Sequence, residues 1–332
     1  MKTTTLGKNG PTISQFGVGA MSFAGIYGTA TEDECHAVLD AALDAGVTQI
    51  DTSNVYGMGR SEQIIASWLA KRPEGRQAMT IATKAGISSS SDGGRRFDNS
   101  PEHLESELDG SLKRLGVDSV DLFYVHRYEA ERPVEEVAGT LARLIETGKT
   151  RAVGFSEIAP STLRRASAEV HVAAVQSEYS LSTRAPELGL VQACDALGTA
   201  LVAFSPVGRS LLTDAPFSFE KAQSMDFTRT NPRFMQPNYA ANIAATDRFR
   251  ALAADMGEPA AALAIAWTIA QGDHVIPIPG TKSADHMAEL LRGCALTLSA
   301  SDLAAIDDAL PVGWAYGDRY NAAQWVGPER YS

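Results

Sequence analysis

The chain has 332 residues, of which 44% are hydrophobic, 21% charged and 7% aromatic, a soluble globular composition with ample material for one large core. Its formal net charge of −11 argues against nucleic acid or an anionic membrane surface as a partner. No apolar run approaches the ~18 residues of a membrane helix, and the N-terminal MKTTTLGKNG has no apolar signal core. Its three cysteines, Cys35, Cys194 and Cys294, form no CxxC pair and have no metal-ligand spacing. We therefore expect reduced thiols, no metal site and a cytoplasmic protein.

In chain order, two short β-prone runs flank Asn9-Gly10, a hairpin turn signal, with Pro11 restricting the pairing. A strand over 15–19 follows. Thr31 can cap a helix over 32–45, which Gly46 ends. Strand 48–51 runs into D-T-S-N-V-Y-G (51–57), helix 61–70 precedes strand 79–83, and Pro101 opens a helix to about 115. Strand 122–125, helix 135–147, strand 152–155, a helix opened by Pro160 and strand 173–175 come next. Helix 187–197 and strand 200–204 then lead to a long aperiodic segment, 207–239. Helices over 240–256 and 259–271, strand 274–278 and helices over 283–292 and 299–309 complete the pattern. A tail rich in aromatic residues follows from Pro311.

Eight apolar strands alternating with helices imply a buried parallel sheet. At this length the expected fold is α/β, a (β/α)8 TIM barrel forming one domain over 1–332. The hairpin would cap its bottom, with the long loops and the tail at the C-terminal face. Catalytic groups in such barrels stand at the C-terminal ends of strands. That register selects Asp51, Lys84, His126, Ser156, Gln176 and Ser205, with Tyr56 just beyond Asp51. Helix capping accounts for the serines, but not for a lysine closing an apolar strand or for an acid in the core. A free phenol titrates near 10, and a neighbouring ammonium stabilises a phenolate. Asp51, Lys84, Tyr56 and His126 thus suit proton transfer to a carbonyl, with Asp51 holding Lys84 charged and His126 directing the carbonyl oxygen.

The motifs D-T-S-N-V-Y-G (51–57), T-K-A-G (83–86), Y-V-H (124–126), G-F-S-E (154–157), V-Q-S-E-Y-S (175–180), A-F-S-P (203–206) and I-P-G-T-K-S (278–283) resemble, in order and spacing, those of the aldo-keto reductase family. The resemblance covers almost the whole chain. It implies a catalytic tetrad of Asp51, Tyr56, Lys84 and His126, with Tyr56 as general acid and hydride passing directly from NADPH to an aldehyde or ketone. It also implies cofactor contacts from Gly19, Met21, Asp51, Ser156 and Gln176, and stacking by Phe204. Ser205, Val207, Gly208, Arg209 and Ser210 would fold over the pyrophosphate. Gly280, Lys282, Ser283, His286 and Glu289 would hold the adenosine 2′-phosphate and the adenine.

Several positions depart from common family patterns. Glu157 stands where asparagine often follows the serine, Phe204 where tyrosine is common, His286 where arginine or glutamine is frequent, and Leu290 where asparagine is frequent. V-Q-S-E-Y-S-L-S-T-R (175–184), R-T-N-P-R-F (229–234) and G-D-R-Y (317–320) resemble a bacterial and plant branch with pyridoxal-reductase-like and auxin-induced-type members. Topology offers Phe23, Tyr27, Tyr56, His126, Arg127 and Trp314 as substrate-pocket residues. Gly17 and Gly19 belong to the first strand and make no G-x-G-x-x-G, which argues against a Rossmann dehydrogenase. The expected partner is a small carbonyl compound, and the chain a monomer or weak homo-oligomer. Two alternatives remain: a cofactor-binding, redox-sensing subunit like the channel-associated β subunits, and a physiological role in alcohol oxidation.

Overall fold

A computed structural model describes residues 1–89 and 95–331. Eight parallel strands form the barrel: β1 (Val18–Gly19), β2 (Gln49–Asp51), β3 (Thr80–Ala85), β4 (Leu122–Val125), β5 (Val153–Ser156), β6 (Val172–Glu178), β7 (Ala200–Phe204) and β8 (Val275–Ile278). They pair in chain order. The backbone bonds Gly17 N–H to Pro277 O (3.0 Å) and Gly19 N–H to Pro279 O (2.9 Å) join β1 to β8. The fold is thus the expected (β/α)8 barrel.

Most of the strands form because they are largely apolar runs buried on both faces, while β2, with only Ile50 apolar between Gln49 and Asp51, is buried all the same. Alternate residues point inward, so Ala82, Leu122, Tyr124, Ala174, Val202 and Ile276 fill the barrel with Leu6 and Ile13 from the hairpin. The hairpin strands, Thr3–Thr5 and Thr12–Ser14, pair antiparallel despite Pro11, whose carbonyl takes the Leu6 N–H at 3.0 Å. The outer helices turn apolar stripes inward. In Pro101–Leu115, for example, Leu104, Leu108, Ser111 and Leu115 are buried along one face. Thr31 and Glu34 form the capping box of helix Glu32–Asp44.

The structure differs from the expected elements at several points. Strand β6 extends to Glu178, because Gln176, Ser177 and Glu178 keep their ladder with β7. The helix expected over 187–197 is split at Gly189, where φ is 132°, into a 3-10 turn Ala185–Leu188 and helix Leu190–Leu197. A short helix Pro73–Ala78 and a hairpin pairing Ile87–Ser89 with Arg95–Phe97 were not anticipated. The segment 207–239, expected to be aperiodic, holds short helices Phe219–Gln223 and Asp226–Arg229 over a small separate core of Leu211, Ala222, Phe234 and Tyr239. Helices this short carry too few turns to show a period.

The tail crosses the C-terminal face. Tyr316 N–H donates to Asn242 Oδ1 (2.8 Å), and Asn231 Nδ2 donates to Arg319 O (2.6 Å). Glu329 then caps the β5 loop, its carboxylate accepting from Ala159 N–H (2.6 Å) and Thr162 Oγ1 (2.9 Å).

Candidate active site

Ladder register brings the polar strand ends to one rim. Gly19 pairs with Asp51, Lys84 with Tyr124, and Ser156 with Gln176. Asp51 and Lys84 are buried, and the Lys84 ammonium donates to Asp51 Oδ1. It also donates to Thr52 O at 2.8 Å and to the Tyr56 hydroxyl at 3.4 Å. Gln176 Nε2 closes the second side of the carboxylate, 2.8 Å from Oδ2. Burial pushes the Asp51 carboxyl up, opposed by Lys84. Burial would likewise push the Lys84 ammonium down, but the charges of Asp51 and Tyr56 leave it raised above its ordinary value. Lys84 therefore carries a proton through the neutral range, and its charge couples to the Tyr56 oxygen.

His126 follows β4 directly, and its ring meets Tyr56 edge-on with centroids 5.8 Å apart. The fully buried Ser53 lies with its hydroxyl 3.0 Å from His126 Nδ1. The hydroxyl's other acceptors, Lys84 O and Asn54 Oδ1, are each at 3.3 Å. With the serine as donor to the nearest of the three, the ring proton of His126 lies on Nε2. Ser53 was not singled out in the sequence, although it sits two residues after Asp51 inside the quoted motif.

The remaining expected residues divide into several groups. Ser156 ends β5, but its hydroxyl accepts from Arg127 Nη1 at 3.1 Å. Gln176 is bonded to Asp51, so both groups expected to hold a carboxamide already have protein partners. Phe204 is half-buried at the end of β7. The loop beyond it takes left-handed backbone at Ser205 (φ 52°), Arg209 (φ 53°) and Ser210 (φ 82°), a concentration of unfavourable conformations that active sites tolerate. Gly208 and half-buried Val207 lie within that loop, and Met21 is half-buried on the turn after β1. Gly280 is exposed. Lys282 Nζ donates to Thr29 O at 2.6 Å. Ser283 caps helix Ala284–Gly293, on which His286 and Glu289 are exposed.

Four of the expected residues have other surroundings than the sequence suggested. Arg209 is buried, and both its terminal nitrogens bond the Glu178 carboxylate (2.9 and 2.5 Å), so its charge is committed inside the protein. Phe23 is fully buried in the main core rather than facing a pocket. Trp314 is also core, its indole N–H donating to Leu181 O at 2.8 Å. Tyr27 packs against the 207–239 insertion instead, with its ring stacked on Phe217.

Beneath the loops lies a buried ionic cluster that the sequence did not disclose. Arg319 binds Glu157, Arg209 binds Glu178, and Arg233 and Arg319 approach Glu178 at 3.7 and 3.5 Å. Burial would raise the Glu178 carboxyl, but the three guanidinium groups hold it down at about 2.

Fold and site together define an enzyme of the (β/α)8-barrel class, with acid–base groups at the strand ends. The family description "Aldo/keto reductase family" matches residues 15–311. A fission yeast (Schizosaccharomyces pombe) protein named aldo-keto reductase yakc [NADP(+)] is 36% identical over 313 residues, covering 93% of this chain and 92% of its own. A probable aldo-keto reductase 1 of Glycine max is 36% identical, covering 95% and 90%. Among solved structures, a glycerol dehydrogenase of Gluconobacter oxydans superposes with TM-score 0.81 at 28% identity, covering 93% of this chain and 94% of its own. The chain belongs to the aldo/keto reductase family and is an oxidoreductase.

Proposed function

We propose that this protein reduces an aldehyde or ketone to the alcohol, with Tyr56 as the proton donor and NADPH as the hydride source. The observation that carries the reading is the buried Lys84 ammonium shared between Asp51 and the Tyr56 hydroxyl. Tyr56 gives its proton to the carbonyl oxygen, and the ammonium of Lys84 stabilises the phenolate left behind. Asp51, held by Gln176, fixes Lys84 in place. His126 Nε2–H orients the carbonyl oxygen and supports its developing charge.

The yeast relative's name specifies NADP(+), and the donor set here suits a phosphorylated dinucleotide. Lys282 and Ser283 open a helix whose N-terminal N–H groups favour an anion. The loop 205–210 offers backbone at the barrel mouth, and Phe204 a partly open ring. When bound, the nicotinamide supplies the hydride. Gly19, Met21, Ser156, Gln176 and Phe204 would hold that end, and 280–289 the other. Arg127 would have to release Ser156 as the carboxamide enters, because one hydroxyl oxygen now serves the guanidinium. Arg127, Tyr56 and His126 remain the residues proposed to meet substrate.

Absorbance of NADPH at 340 nm with a panel of aldehydes and ketones tests the reading. Tyr56→Phe should lower kcat by roughly 10²–10⁴, the usual contribution of a positioned acid. Undiminished turnover in that variant would overturn the assignment. The glycerol dehydrogenase among the structural neighbours makes the reverse direction worth assaying with NADP+ and polyols.

A further inference from the structure

The 207–239 insertion has no part in the proton relay, yet its placement is firmly determined. Its small core is pinned to the first βα loop by Tyr27, which stacks on Phe217 and meets Phe227 edge-on, each at 6.4 Å between centroids. The next residue, Gly28, has φ 99°. A Cβ placed there would stand 3.3 Å from Lys221 Nζ and 3.4 Å from Lys282 Nζ. The two ammonium groups therefore face each other across a bare glycine, no more than about 7 Å apart.

Lys221 comes from helix Phe219–Gln223, with its N–H held by Ser218 Oγ at 3.1 Å and its neighbour Ala222 fully buried. Among the described residues its ammonium has no acceptor and no counter-charge. Lys282 has only the Thr29 carbonyl. The Glu34 carboxylate accepts from Thr31 N–H (2.8 Å) and Thr31 Oγ1 (2.9 Å), and the charge of Lys282 helps to lower its pKa, but no salt bridge joins the two. Two like charges held this close without a carboxylate between them repel each other. A group with more than one negative charge and several acceptor oxygens would relieve that repulsion.

We propose that Lys221 is a second cation for the 2′-phosphate of NADP(H), opposite Lys282, so that the insertion forms one wall of that subsite. This rests on the cofactor reading above. A phosphomonoester offers three terminal oxygens, enough for each ammonium and for the Ser283 end of the helix. The missing side chain at Gly28 leaves the space they would share. NAD(H) presents only a hydroxyl there and would leave the two ammonium groups unneutralised, so the site selects by repulsion as well as attraction.

Isothermal titration of the full chain with NADP+, NAD+ and adenosine 2′,5′-bisphosphate tests this without relying on turnover. Lys221 is exposed, so Lys221→Gln should melt at the wild-type temperature. That variant should bind NADP+ and the bisphosphate about tenfold more weakly, the scale of one charge-assisted contact, with NAD+ changed less than about twofold. Lys221→Arg should keep most of the preference, and Lys221→Glu should lose more than the glutamine variant. An unchanged NADP+ to NAD+ affinity ratio in Lys221→Gln would overturn the proposal and leave the cofactor reading intact. Equal wild-type affinities for the two dinucleotides would overturn the cofactor reading itself.

Discussion

Ser53 shows how a hydroxyl can choose between two forms of the ring proposed to direct the substrate carbonyl. Its single proton has three acceptors within 3.3 Å, and His126 Nδ1 is the nearest. Side-chain ¹⁵N spectra of the unliganded protein should show the Nε2–H tautomer at neutral pH. Ser53→Ala should lower kcat about tenfold or more while NADP+ affinity stays constant, because the ring then loses the partner that fixes its tautomer. Asp51→Asn addresses the neighbouring pair. It removes the charge opposite a fully buried ammonium, so kcat should fall, and the folded protein should also lose on the order of 3–5 kcal/mol. Urea unfolding measures the second effect. Asp51, Lys84 and Tyr56 were readable because each is a misfit in its own strand or loop, visible without knowing its partner. Ser53 was hidden because a serine in a loop needs no explanation.

At the scale of elements, most strands lay where apolar runs placed them, and their polar ends located the rim. What could not be read was how loops distant in sequence meet. Glu157 looked like a replaced cofactor contact. In the structure its carboxylate accepts from Ser177 Oγ (3.2 Å), Glu178 N–H (2.8 Å) and Arg319 of the tail. That last pairing spans 162 residues, beyond any local pattern. The inward pairing of Arg209 was illegible for the same reason, because its partner Glu178 is 31 residues away on a strand that runs further than its apolar stretch. The pairing predicts that Arg319→Ala costs about 3–5 kcal/mol, since it strands a buried carboxylate. Arg319→Ala combined with Glu157→Gln should recover part of that loss. Equal melting temperatures for the wild type and the single variant would count against the tail as a structural clasp.

For the whole molecule the ionic cluster sets a pH limit. Glu178 titrates at about 2 when folded, against about 4.3 for a free glutamate. A depressed carboxyl contributes stability that is complete above the unfolded value and is lost as pH falls toward the folded one. Thermal unfolding should therefore be steady from neutrality down to about pH 4.5 and decline steeply between about 4.3 and 2. Glu178→Gln should lower the neutral-pH melting temperature and flatten that decline. A wild-type melting temperature constant down to pH 3 would contradict this account.

The tail's position bears on how the protein should be handled. The N-terminal hairpin closes the barrel end remote from the rim that carries Asp51, Lys84 and His126, and Met1 is exposed. The last described residues instead lie against the β5 loop, with Glu329 N–H bonded to Glu157 O at 2.9 Å, next to Ser156 in the chain. An affinity tag, a reporter or a surface tether fused after this end would emerge beside the proposed nicotinamide pocket and pull on the clasp that shapes it. Fusions and immobilisation chemistry belong on the hairpin side, at the barrel end opposite that rim.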